Sequence, residues 1–177
     1  LWFGIGILLS LTGDVLLMIS LDRLFLAGLV AFLLAHAAYL VGFNIPVSDF
    51  SIWGLVMAVT IGLGSARVTR LIVAPLAAKG QARMRIPILI YSVIISFMLL
   101  AAMMKLVDVN WDSNAAILVS VGAFLFYLSD IVLAWHKFVN PFKHGRIYNI
   151  ALYHLAQIML VAGVIAGHAA MAWTGNE

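Results

Sequence analysis

Two aspartates sit where an aspartate is expensive. Asp14 lies in the apolar run LLSLTGDVLLMIS and Asp130 in GAFLFYLSDIVLA, each directly after a small residue, Gly13 or Ser129. If these runs cross a bilayer, each carboxylate costs roughly 2.5–3.5 kcal/mol on insertion scales, and a group retained at that cost reads as functional. His36 follows Asp14 by 22 residues and His154 follows Asp130 by 24, a weak internal repeat of an Asp…His device. Phe32, His36, Tyr39 and Phe43 form one helical stripe, Tyr153, His154 and Gln157 share another, and Tyr91 lies in a further apolar run. Two carboxylates in different surroundings can divide the roles of proton donor and charge stabiliser. The same groups also describe the proton relay of a proton-coupled transporter of small molecules or lipids. The plainer alternatives are a structural hydrogen bond for either Asp, a helix–helix contact for His36, packing or an interfacial position for His154, and membrane packing for the tyrosines.

The elements that must hold these groups follow from composition. With 65% hydrophobic and 10% charged residues and a mean hydropathy of +1.13, the chain is not a soluble domain. Its apolar runs of roughly 20 residues match the thickness of the hydrocarbon core, and the two-residue alternation of a β-barrel is missing. We therefore expect an all-α, polytopic transmembrane helix bundle forming one domain over 1–177. Six spans are expected, at about 1–20, 24–43, 51–70, 86–106, 114–135 and 147–172. The third is the least regular, because Arg67 and Arg70 must snorkel or mark an early exit. The chain begins at Leu1 inside an apolar run, so a piece of a longer protein is expected, with the first run a span and not a signal peptide.

Charge orients the bundle. Arg23, Arg67, Arg70, Lys79, Arg83, Arg85, Lys137, Lys143 and Arg146 fall at one end and only Lys105 at the other. By the positive-inside rule the basic loops are expected to be cytoplasmic and both chain ends to face outward; the expected location is a bacterial inner membrane. This topology accounts for the cationic excess without any nucleic-acid partner. At 1.5 Å of rise per residue, Asp14 and Asp130 each lie about 10 Å above the basic end, with Tyr91 and His154 at similar depth and His36 deeper. Groups at that depth need polar partners, so Asp14, His36, Tyr91, Asp130, Tyr153 and Gln157 should surround one cavity.

Other chemistries lack support. There is no cysteine, no HxxxH or HExxH pair, no GxSxG elbow, no P-loop and no dinucleotide fingerprint. His136 and His144 flank an exposed loop, and a zinc site is not expected.

The motifs themselves resemble a known family. Gly13-Asp14-x-x-Leu17, Phe32-x-x-Ala35-His36-x-x-Tyr39, Gly122-Ala-x-Leu-Phe-x-x-Ser129-Asp130-x-x-Leu133-Ala134 and Tyr153-x-x-Ala156-Gln157 occur in the order and spacing of the YhhN-like family. That family includes the animal transmembrane lysoplasmalogenases, and its members look like eight-span proteins, so two spans would precede this chain. The resemblance implies hydrolysis of the vinyl ether bond of a lysoplasmalogen-type lysophospholipid, within the lipid bilayer, to a fatty aldehyde and a glycerophospho head group. It implies Asp14 and Asp130 as catalytic residues, needing no metal or organic cofactor. His36, Tyr39, Tyr91, Ser129, Tyr153 and Gln157 are then expected to support the substrate.

Overall fold

A computed structural model describes residues 1–45 and 51–174, with side chains through residue 167. Six helices follow one another: α1 (Trp2–Ile19), α2 (Phe25–Phe43), α3 (Ile52–Val73), α4 (Arg85–Met104), α5 (Ser113–Ala134) and α6 (Gly145–Thr174). All six are long and apolar enough to cross a membrane. Short 3-10 turns extend α3 to Leu76, precede α4 and close it to Val107, and a π-helical turn, Trp135–Val139, continues α5. Part of the expected joint over 44–50, residues 46–50, lies outside the described residues. The third span does not exit early: α3 carries Arg67 and Arg70 within the helix, both on its exposed side.

The helices have little amphipathic contrast, because lipid-facing positions are as apolar as core positions. Small residues therefore decide which faces meet, since they let backbones approach. On α1 the buried residues are Gly6, Ser10 and Gly13, one small-residue stripe. A Cβ at Gly13 would sit 2.6 Å from the Phe32 ring, so α2 packs on bare backbone there. Asp14, next in sequence, is thereby carried to the edge of the α1–α2 seam and is half-buried. The α5–α6 pair uses the same device. A Cβ at Gly122 would meet the Leu160 nitrogen at 2.9 Å and the Ala156 oxygen at 3.0 Å. The core these pairs enclose is aromatic and aliphatic: Phe32, Tyr39, Phe43, Tyr91, Met98, Phe126 and Tyr153.

Lysines fasten the basic end. Lys137 Nζ donates to the Leu21 carbonyl at 3.0 Å and to Asp22 Oδ1 at 2.8 Å, and it lies 4.9 Å from the Phe25 ring centre. Lys79 Nζ donates to the carbonyls of Phe138 and Val139 at 2.9 and 2.7 Å, capping acceptors that the end of the π turn leaves open. At the opposite end Lys105 is buried and bonded to Asp108 at 3.0 Å, so the single cation there is locally neutralised.

Candidate active site

The polar groups converge as two clusters, and the buried stripe of α2 enters both. In the first, the Tyr91 hydroxyl donates to Asp130 Oδ2 at 2.6 Å. His36 Nε2 lies 2.9 Å from the same hydroxyl oxygen and 3.2 Å from the same carboxylate oxygen. Tyr91 has one proton and gives it to Asp130, so its oxygen can only accept from His36. That makes Nε2 the protonated nitrogen. His36 Nδ1 has no partner among the described residues, which suits a bare lone pair and would leave an N–H stranded. His36 is fully buried, with the Phe126 ring 4.6 Å away edge-on. Two helices, α2 and α4, thus aim donors at one oxygen of Asp130 on α5, the single Nε2–H being shared between that oxygen and the Tyr91 hydroxyl; the Asp130 side chain is 16% exposed.

The second cluster is built by α1, α2 and α6. Tyr39 donates to Gln157 Oε1 at 2.9 Å, and Gln157 Nε2 reaches the Tyr153 hydroxyl at 3.5 Å, the long limit of a hydrogen bond. Tyr153 in turn interacts electrostatically with Asp14, so each donor in the series leads toward that carboxylate. Asp14 also lies within electrostatic range of His154 and of Asp130. Between the clusters stand Phe32, Phe126 and Tyr153, packed edge to face with ring centres 5.3–6.2 Å apart.

The single cavity expected from matched depth is divided. Asp130 and Tyr91 line an apolar pocket with Leu29, Phe32, Ile88 and Ile95. Asp14 lines a second pocket, in which His136, Arg146 and Asn149 stand among Met18, Leu21 and Ile150. Leu17 and Leu133 line both, so these two side chains are the wall between them. The apolar pocket holds about 70 Å³, against roughly 10–15 Å³ for one ordered water.

Ser129 sits differently from the sequence expectation, and His154 takes the plainer of its two readings. Ser129 is buried and its hydroxyl donates to the Asn149 carbonyl at 3.0 Å, while Asn149 Nδ2 donates to Ser129 O at 3.0 Å and Oγ at 2.8 Å. The hydroxyl is thus engaged between α5 and α6, beside Asp130 and not in either pocket. His154 is exposed, with Nδ1 2.9 Å from the Ile150 carbonyl of its own helix, so the two Asp…His pairs are not equivalent. His36 serves the distant Asp130. Asn149 escaped the sequence reading, although it continues the stripe of Tyr153 and Gln157 four residues earlier. Among the described residues no three His, Asp or Glu side chains converge as metal ligands would.

The fold and this site define an integral, polytopic α-helical membrane protein with paired carboxylates inside its helix bundle. The YhhN family model matches residues 1–164, and the chain belongs to the YhhN family. Lysoplasmalogenase TMEM86B of Mus musculus is 30% identical over 142 residues, covering 80% of this chain and 54% of that protein. The Sus scrofa lysoplasmalogenase TMEM86B is 28% identical over 166 residues, covering 90% and 61%. Lysoplasmalogenase TMEM86A of Homo sapiens is 26% identical over 165 residues, covering 91% and 64%. The chain therefore spans roughly three fifths of the length of these curated relatives. No solved structure matches it.

Proposed function

We propose that this chain forms the catalytic bundle of a hydrolase that cleaves the vinyl ether bond of lysoplasmalogen-type lysophospholipids, releasing a fatty aldehyde and a glycerophospho alcohol. The names of its relatives support the reaction class. The observation that carries the reading is the pair of carboxylates in two adjoining pockets that share Leu17 and Leu133, close enough to feel each other's charge.

A vinyl ether hydrolyses by protonation of its outer alkene carbon, which leaves an oxocarbenium ion at the carbon bonded to oxygen. Water adds to that carbon and loses a proton, giving a hemiacetal that collapses to aldehyde and alcohol. The enzyme must supply a proton and hold a negative charge beside the cation. Asp130, with the Tyr91 hydroxyl at 2.6 Å and His36 Nε2 at 3.2 Å from Oδ2, suits the role beside the cation, since donors already in place hold its oxygens without reorganisation. Asp14, with the single Tyr153 contact, suits the proton donor, and the carboxylate it leaves behind can accept the proton of the attacking water. The alkenyl chain would start in the apolar pocket and run out between helices into lipid, and the head group would face the basic end. Charge asymmetry makes that end cytoplasmic.

The test is a panel of lysophospholipids offered to the purified full-length protein in nanodiscs, with aldehyde detected by mass spectrometry. Aldehyde from 1-alkenyl substrates, and none from saturated 1-alkyl ethers, is expected. Proton flux across liposomes without aldehyde release would replace this reading with that of a proton-coupled transporter.

A further inference from the structure

The pocket beside Asp14 holds polar groups that the reaction itself leaves unused. His136 stands on the π turn, a feature often found at functional sites, and its Nδ1 accepts the Phe142 backbone N–H at 3.2 Å. Nδ1 therefore carries no proton, and in the neutral ring Nε2–H is a donor left for the pocket. A Cβ at residue 145 would lie 2.5 Å from Nδ1, so only Gly145 lets the imidazole close against the start of α6. The preceding His144 takes a left-handed backbone, φ 63°, to bring the chain into that helix.

The exposed Arg146 side chain also lines this pocket and makes no hydrogen bond or ion pair with a described residue. A cation in the first turn of a 30-residue helix opposes the helix dipole, and no acidic residue in that turn offsets it. Topology alone would be served by the same charge anywhere in the loop. The side chains of Arg146 and His136 thus complement an anion inside the pocket.

We propose that this pocket is a phosphate subsite, in which Arg146 and His136 bind the phosphodiester of the lysolipid head group. The assignment rests on the hydrolase reading above for its ligand, and it adds the group that selects phospholipids over neutral ether lipids. Spacing agrees with it. Arg146 lies seven residues before Tyr153, the partner of Asp14, or about 10 Å along α6. The ether oxygen and the phosphorus are five bonds apart, roughly 6 Å when extended, and the guanidinium needs about 3 Å more to reach the phosphate oxygens. A lysolipid with its phosphate at Arg146 would hold its vinyl ether near Asp14.

Binding to the full chain in nanodiscs tests this without turnover. The probes are a saturated 1-O-hexadecyl lysophosphoethanolamine, which has no vinyl ether to cleave, and 1-O-hexadecylglycerol, which has no phosphate. The wild type should bind the phosphate-bearing probe at least about tenfold more tightly, as expected for a charge-assisted contact. Arg146→Gln should abolish that preference while leaving hexadecylglycerol binding unchanged, and Arg146→Lys should restore part of it. If Arg146→Gln does not assemble, His136→Gln reads the same ratio. A preference that survives these changes would overturn the subsite. Competition by inorganic phosphate as strong as by the lysolipid probe would assign the pocket to a free anion and overturn the head-group assignment. Phosphate-dependent binding without aldehyde release from the alkenyl substrate would refute the hydrolase reading and leave the subsite standing. Aldehyde release with discrimination unchanged in Arg146→Gln would do the reverse.

Discussion

Replacing Ser129 and Asn149 by alanine, singly and together, separates a structural role for Ser129 from contact with substrate. Three hydrogen bonds join the two residues, at 3.0, 3.0 and 2.8 Å. Asn149→Ala removes the two donated by its amide, and Ser129→Ala removes the two that involve its hydroxyl, so one bond is common to both changes. Interhelical hydrogen bonds in a bilayer average about 0.6 kcal/mol. Each single variant should therefore lose about 1.2 kcal/mol and the double variant about 1.8 kcal/mol, leaving a coupling of about 0.6 kcal/mol. Unfolding by sodium dodecyl sulfate in mixed micelles measures these differences. Because Ser129 adjoins Asp130, a loosened α5–α6 contact also misplaces the carboxylate, and displacements near 1 Å can cost about 10²-fold in rate. The expected signature is a lower kcat with little change in KM. Strictly additive stability losses would refute the clamp. A Ser129→Ala variant of unchanged stability with raised KM alone would return the hydroxyl to the substrate.

Three further outcomes follow from the same geometry. Tyr91→Phe removes the 2.6 Å donor to Asp130; a hydrogen bond to a charged group contributes about 1.5–3 kcal/mol, so turnover should fall roughly ten- to a hundredfold, and an unchanged rate would remove Tyr91 from the site. The Lys137 ammonium holds the exposed Asp22 carboxyl below its ordinary value; the stability this pair adds is present above about pH 3.9 and is lost as pH falls through the lowered folded value, so the thermal midpoints of wild type and Asp22→Asn should converge in acid, and a gap independent of pH would contradict the pairing. The chain has no cysteine, so single cysteines at Ala78 and Asn140, both exposed, report sidedness; they should resist a membrane-impermeant thiol reagent in intact cells, and labelling of both would invert the topology.

The membrane spans were legible because hydropathy and length leave few choices: the expected run 114–135 is α5 at Ser113–Ala134, and 24–43 is α2 at Phe25–Phe43. The burial of His36 and Tyr39 was legible for a related reason, since they lie on one helical stripe with Phe32 and Phe43. Partnership between helices was not. The apparent repeat links Asp14 with His36 along the chain, yet His36 meets Asp130, because α2 also packs against α4 and thereby faces Tyr91 and α5. Depth along a helix sets the level of a group but not its rotation, and so could not reveal the Leu17–Leu133 wall. Arg67 and Arg70 show the converse limit. Their charge left two choices, snorkelling or an early exit, and α3 runs past both to Val73 with the two side chains exposed.

The paired-carboxylate mechanism is tested most directly by the rate of aldehyde release from an alkenyl lysophospholipid in Asp14→Asn and Asp130→Asn, each first shown to retain its helices by circular dichroism. Asparagine keeps the size of the side chain but neither donates a carboxylic proton nor carries charge. Both variants should lose at least about 10²-fold in kcat, the lower range for a positioned proton transfer, and the wild type should show a solvent deuterium isotope effect above one. Full turnover in either folded variant would contradict the mechanism.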